Sequence, residues 1–264
     1  MKMLLTLILC AFIAPLGGVP IGHAAEIPII MYHALVANPE NRWEITPAAF
    51  ESDLKFLTEN GYTTVFMQDL IDFVHHGRPL PEKPVVLSFD DGRSPTIDIL
   101  LPLLEAYNAR ISMSIVGRFT DEYTEIVDTR GISTYPHMTW DDVRRAFDTG
   151  RVEIQSHTYD LHGRRGMGKK ADESPESYRS RLLADIDKFA EVLFRNTGLA
   201  ANTLAYPLGI FDKNSEAILR EAGYLATLSC RHKNNTITVG EPDGLFLLNR
   251  FLRCPNKPVN SLLS

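Results

Sequence analysis

Two stretches of this chain combine residue types that can do chemistry. Asp90-Asp91-Gly92 follows the apolar run Val85 to Phe89, and two histidines stand in Ser156-His157-Thr158-Tyr159-Asp160-Leu161-His162. Adjacent carboxylates behind a hydrophobic run are costly unless something compensates their charge, and a divalent metal does so. Imidazole and carboxylate donors together suit zinc first, with cobalt, nickel or iron as alternatives. Two histidines with one of the aspartates would leave coordination positions open, and the other aspartate can then act as general base on a water molecule. Each stretch also has a plain structural reading. Asp and Gly dominate turns, and histidines five apart point to different faces of a helix. To converge, they must lie on a turn or loop.

The elements that must position these residues alternate. Apolar strands are expected at Ile29 to Tyr32, Thr63 to Phe66, Val85 to Phe89, Ile111 to Val116, Val152 to Gln155, Thr203 to Tyr206, Leu225 to Leu228 and Phe246 to Leu248. Between them, helices are expected from Thr46-Pro47 to Gly61, over Gln68 to Val74, over Pro95 to Asn108, from Thr139 to Gly150, from Ser174-Pro175 to about Asn196 and from about Asn214 to Ala222. N-caps with proline at the first helical position and glycine stops mark several of these boundaries. Alternation of this kind implies a parallel sheet covered by crossover helices. Seven or eight units in one domain predict an α/β fold, a distorted (β/α)7-8 barrel; an open doubly wound sheet is second, since no dinucleotide-type glycine pattern follows the first strand.

In such a barrel the site lies where strands end. The strand ends carry His33, Asp90-Asp91, His157 to His162, Tyr206-Pro207-Leu208-Gly209 and Asn249-Arg250. Ionisable residues thus gather at one rim.

Ser88-Phe89-Asp90-Asp91-Gly92 closely resembles the first motif of the polysaccharide deacetylase family, the NodB-homology carbohydrate esterases (carbohydrate esterase family 4). His157 to His162 is similar to its metal-binding motif, one residue longer than usual. That longer form, with Met31-Tyr32-His33, resembles the branch containing poly-N-acetylglucosamine deacetylases. The resemblance spans roughly residues 29–250. It implies a NodB-type barrel, Asp90 as base, and Asp91, His157 and His162 as metal ligands. By analogy the backbone N–H of Leu208 joins in oxyanion stabilisation. The chain departs from the pattern twice. Ala205 stands where an arginine that orients the aspartate is expected, making Arg250 the substitute. Leu248-Asn249-Arg250 lacks the histidine that protonates the leaving amine, making His33 the candidate acid.

The implied activity is hydrolysis of N-acetyl groups on an N-acetylhexosamine polymer such as peptidoglycan, chitin-like chains or poly-N-acetylglucosamine. An O-acetyl esterase and a non-catalytic carbohydrate-binding relative are the alternatives. The formal charge of −6 argues against a nucleic-acid partner, because phosphate binding needs a basic surface. Lys2, the apolar stretch Leu4 to Leu16 and Gly22-His23-Ala24 read as a secretory signal over residues 1–24, with a catalytic domain over 25–264. No stable membrane span is expected after its removal. The expected location is outside the cytoplasm, free or associated with the cell wall or membrane. Cys230 and Cys254 can pair or remain free. His75-His76 are expected at a solvated helix end, His137 in a loop, and Arg164-Arg165 with Lys169-Lys170 in an exposed basic loop.

Overall fold

A computed structural model describes residues 18–131, 134 and 136–263. Its strands are β1 (Ala24–Ile27), β2 (Ile29–Tyr32), β3 (Ala34–Leu35), β4 (Glu44–Ile45), β5 (Thr63–Val65), β6 (Pro84–Asp91), β7 (Ile111–Ile115), β8 (Val152–Ser156), β9 (Thr203–Ala205), β10 (Ala226–Leu228), β11 (Asn235–Thr238) and β12 (Phe251–Leu252). The helices are α1 (Pro47–Glu59), α2 (Met67–His76), α3 (Ser94–Ala106), α4 (Gly117–Arg130), α5 (Trp140–Asp148), α6 (Pro175–Thr197), α7 (Ser215–Glu221) and α8 (Val259–Leu262).

The main sheet is parallel and runs β10-β9-β8-β7-β6-β2-β12. Strand β5 pairs the first residues of β6, on the edge that β7 takes further along. The segment leading into β12 meets β10 through the bridge Leu228 to Leu248. There the Leu248 N–H donates to the Thr227 carbonyl at 2.9 Å and the Ser229 N–H to the Leu248 carbonyl at 2.8 Å, so the curled sheet closes through a short irregular seam rather than a full strand pair. This is the distorted barrel expected. Central strands β6 and β7 are buried on both faces; β6 opens with a nearly unbroken apolar run, whereas β7 alternates apolar residues with the buried Ser112 and Ser114.

Local signals hold where predicted. Thr46 caps α1 by accepting the Ala49 N–H at 3.1 Å, with Pro47 next. Thr139 and Asp142 form a capping box on α5, and a cap of this kind is worth about 1 kcal/mol. His75 and His76 end α2 exposed, ahead of Gly77 in the left-handed conformation.

Two expectations need correction. Phe246 to Leu248 is not a strand; the chain makes a 3-10 turn at Pro242–Leu245, and the edge strand is Phe251–Leu252. Leu247, at φ +57, breaks the extended run that its apolar neighbours suggest. Helix α4 stands where no helix is expected from the sequence. Phe119, Tyr123, Ile126 and Val127 recur at helical spacing but are only partly buried, and the helix follows β7 directly with no side-chain cap at Val116, so no capping signal marks its start.

Residues 1–17, most of the expected signal, lie outside the described residues. Val19 to Ala24 are docked on the barrel: the Val19 N–H reaches the Gly77 carbonyl at 2.8 Å and the Gly22 N–H the Val239 carbonyl at 2.9 Å. Among the described residues no helix is long and apolar enough to cross a membrane. Cys230 and Cys254 are both free thiols.

Candidate active site

Strand β6 ends in two successive left-handed residues, Asp91 at φ +72 and Gly92 at φ +64. A Cβ at Gly92 would lie 3.0 Å from the Ile115 side chain, so only glycine fits this bend against β7. Asp91 holds the unusual conformation without that freedom, as functional sites often require. The His157–His162 loop contains a third such residue, Thr158 at φ +73. Its turn brings the two imidazoles together, with ring centroids 5.0 Å apart.

Asp91 Oδ1 lies 3.5 Å from His157 Nε2 and 3.1 Å from His162 Nε2. These three donors lie within 4.8 Å of one another. Asp91 Oδ1 is buried, yet no hydrogen bond satisfies it. His157 Nδ1 meets the Ala205 carbonyl at 2.8 Å, which turns Nε2 toward the carboxylate. An orphaned carboxylate oxygen facing two Nε2 atoms suits a divalent cation. Burial disfavours a charged Asp91, but His162, His157 and His33 outweigh it and hold the carboxyl well below its usual range. Burial likewise works against a charged His162, and Asp91 outweighs it, so His162 is raised.

Asp90 is buried beside this group. Arg250, 0% exposed, donates from Nη1 to Asp90 Oδ1 at 2.7 Å and to Ser88 Oγ at 2.9 Å, while its Nε donates to the Ser229 carbonyl at 2.9 Å. Burial would raise the Asp90 pKa, but Arg250, His157 and His33 pull it below the usual carboxylate range.

His33 lines the same cavity, of about 550 Å³, together with Asp90, Asp91, His157, His162 and Leu208. Its Nδ1 is buried with no hydrogen-bond partner, and its ring lies 4.6 Å from that of Trp43. Burial lowers the His33 pKa, and the Asp90 and Asp91 charges offset part of that effect. Leu208 turns at φ +59 and is half exposed. Six of the seven candidate site residues therefore line one mouth, and the seventh, Arg250, lies buried behind Asp90.

Other lining residues were not singled out. Trp43 and Arg42, on the short β3–β4 flap, and Cys230 also border the cavity. Arg42 stacks on Trp43 at 4.3 Å, a pairing that adjacency alone hinted at. His137 Nδ1 meets the Asp91 carbonyl at 3.1 Å, so it supports the bend from behind. Arg164, Arg165 and Lys170 are exposed beyond His162, as expected of the basic loop.

Fold and site together define a parallel β/α barrel with a carboxylate–imidazole cluster at the C-terminal ends of its strands. The sequence profile described as "Polysaccharide deacetylase" matches residues 77–227, more than half of the chain, and the chain belongs to that family. It is 27% identical over 209 residues to the poly-beta-1,6-N-acetyl-D-glucosamine N-deacetylase of Escherichia coli (strain K12), covering 68% of this chain and 30% of that protein. The enzyme of the same name from Staphylococcus aureus (strain MSSA476) is 21% identical over 192 residues, covering 72% of this chain and 62% of that one. The chain thus spans less than two thirds of the length of these curated relatives. Among solved structures, a de-N-acetylase from Aggregatibacter actinomycetemcomitans superposes with a TM-score of 0.75 at 25% identity, covering 90% of this chain and 99% of that one. The Streptococcus pyogenes deacetylase PplD superposes with a TM-score of 0.74 at 19% identity, covering 91% and 98%, and shares the fold.

Proposed function

We propose that this protein is a metal-dependent hydrolase that removes N-acetyl groups from an N-acetylhexosamine polymer. The observation that carries the reading is the Asp91–His157–His162 cluster beside an Asp90 held by Arg250 in one cavity. The likeness to poly-N-acetylglucosamine deacetylases supports that polymer as substrate, with peptidoglycan and chitin-like chains as related candidates.

Asp91, His157 and His162 would hold the ion, zinc first, with cobalt, nickel or iron as alternatives. A divalent ion there supplies Lewis acidity to the acetamide carbonyl and to the attacking water. Asp90 accepts a proton from that water as its oxygen adds to the carbonyl carbon. Arg250 keeps the Asp90 carboxylate ionised and fixes one of its oxygens. The backbone N–H of Leu208 donates to the developing oxyanion. His33 gives a proton to the amine nitrogen as the C–N bond breaks, leaving acetate and a free amine. His33 lines the cavity with a buried, unpartnered Nδ1, and an imidazole placed there serves the amide reading, because an amine leaves poorly without a proton.

The same reading takes residues 1–24 as a secretory signal and places the mature protein outside the cytoplasm. The test of the activity is acetate release from N-acetylglucosamine oligomers and from acetylxylan, with wild type and Asp90→Asn. Release from the oligomers that disappears in the variant is expected; release only from acetylxylan, or undiminished release by Asp90→Asn, overturns the reading.

A further inference from the structure

Helix α6 buries Tyr178, Leu182, Ile186, Phe189, Val192 and Leu193 on one stripe, and Asp185 sits in the middle of it. A carboxylate at 8% exposure on an apolar face is expensive. Among the described residues no cation pairs with it: Arg181, one turn earlier, is committed to Glu173 through Nε at 2.7 Å and Nη2 at 2.9 Å. Burial pushes the Asp185 carboxyl up, and two backbone amides partly offset that. Those amides identify what the carboxylate is for. Tyr159 N–H donates to Oδ1 at 2.8 Å and Asp160 N–H donates to Oδ2 at 2.7 Å.

Both amides lie between His157 and His162. The opposite edge of the same segment is held too, since Thr158 and Tyr159 carbonyls accept from the Gly117 and Arg118 N–H groups at 3.1 and 2.9 Å. At Gly117 a Cβ would meet the Tyr159 ring at 2.8 Å, so α4 and this loop are in close contact. The loop is held through its carbonyls by α4 and through two of its amides by Asp185, while Arg118 pairs with the Asp160 side chain and the Tyr159 hydroxyl donates to Asp121 at 3.0 Å.

We propose that Asp185 is a positioning residue that fixes the backbone between the two histidines and so sets His162 against Asp91 for metal binding. The proposal rests on the metal-site reading above. Asparagine at this position keeps one acceptor oxygen but points an NH₂ donor at a backbone N–H, so one anchor is lost and a repulsion replaces it.

The test is the zinc dissociation constant, measured by competition with a chelating indicator for wild type, Asp185→Asn, Asp185→Glu and the exposed control Asp187→Asn. Melting temperatures of the metal-free proteins are recorded alongside. Supporting contacts of this kind affect metal affinity by about 10- to 100-fold. Asp185→Asn is expected to weaken zinc binding by that amount, with kcat recovering at saturating zinc; Asp185→Glu, which retains both acceptors, recovers part of the affinity, and Asp187→Asn matches wild type. Unchanged affinity in Asp185→Asn together with a lowered melting temperature makes Asp185 a scaffold residue and overturns the proposal. If Asp185→Asn does not fold, Asp185→Glu decides: weakened binding in a folded protein supports the proposal, and wild-type affinity overturns it. Failure of wild type and Asp187→Asn alike to bind zinc would instead sink the metal-site reading, and this proposal with it.

Discussion

Arg250 Nη1 lies 2.7 Å from Asp90 Oδ1, a pair formed across 160 residues of sequence with the arginine fully buried. The Asp90 carboxyl is depressed in the folded protein, so its ionised form adds stability above the unfolded carboxylate range and loses it as pH falls through the folded value. Replacing Arg250 by methionine removes the attraction and leaves the burial. The Asp90 pKa then rises, and the acid limb of the kcat/KM profile moves to higher pH. A pH–rate profile of Arg250→Met measures this; an unmoved acid limb separates Arg250 from the base.

His33→Phe keeps an aromatic ring beside Trp43 and removes the proton donor. General-acid assistance contributes about 10²- to 10⁴-fold, so amide turnover should fall within that range. Hydrolysis of 4-nitrophenyl acetate, whose leaving group departs without a proton, should change only a few-fold. Equal losses on both substrates would remove His33 from the acid role.

Chelation should abolish acetate release, and zinc, cobalt or nickel should restore it. Binding to the folded state alone adds about 2.7 kcal/mol at a free metal concentration 100 times the Kd. A higher melting temperature with metal than without is therefore expected in wild type and not in Asp91→Ala, as differential scanning fluorimetry would show.

Away from the mouth, Asp53 and Arg253 form a second buried pair, Nε to Oδ2 at 2.6 Å, both about 3–4% exposed. Asp53 also accepts the Val259 N–H at 3.3 Å and the Tyr32 hydroxyl at 3.3 Å, tying α8 and β2 to α1. Asp53→Ala strands the guanidinium without its partner, a change that costs about 3–5 kcal/mol. Urea denaturation should show a lower midpoint, and a shift under 1 kcal/mol would show that water reaches Arg253.

Much of the barrel was legible because strand and helix signals are local. Val85 to Phe89 is an apolar run whose burial on both faces follows from its composition, and Ile111 to Val116 is marked by apolar residues alternating with small serines. Phe246 to Leu248 carries the same composition but lies at the seam where the barrel closes, and a left-handed Leu247 redirects it. Helix α4 has a partly buried stripe, Phe119, Tyr123, Ile126 and Val127, but it follows β7 with no capping residue, and the donors it gives to the Thr158 and Tyr159 carbonyls are backbone groups that leave no mark in the sequence.

By itself the sequence determined the alternating architecture and the chemical identity of the rim: Asp90 and Asp91 at one strand end, His157 and His162 at another. Residue type and position relative to a strand are local properties, and a parallel barrel places all such ends on one side. Tertiary structure alone decided which groups face one another. Arg250 occupies Asp90, Trp43 covers His33, and Asp185 reaches across from α6 to hold the loop between the histidines. Contacts a few ångströms long between distant segments depend on strand register, helix seating and left-handed turns acting together, and no single stretch of sequence contains them.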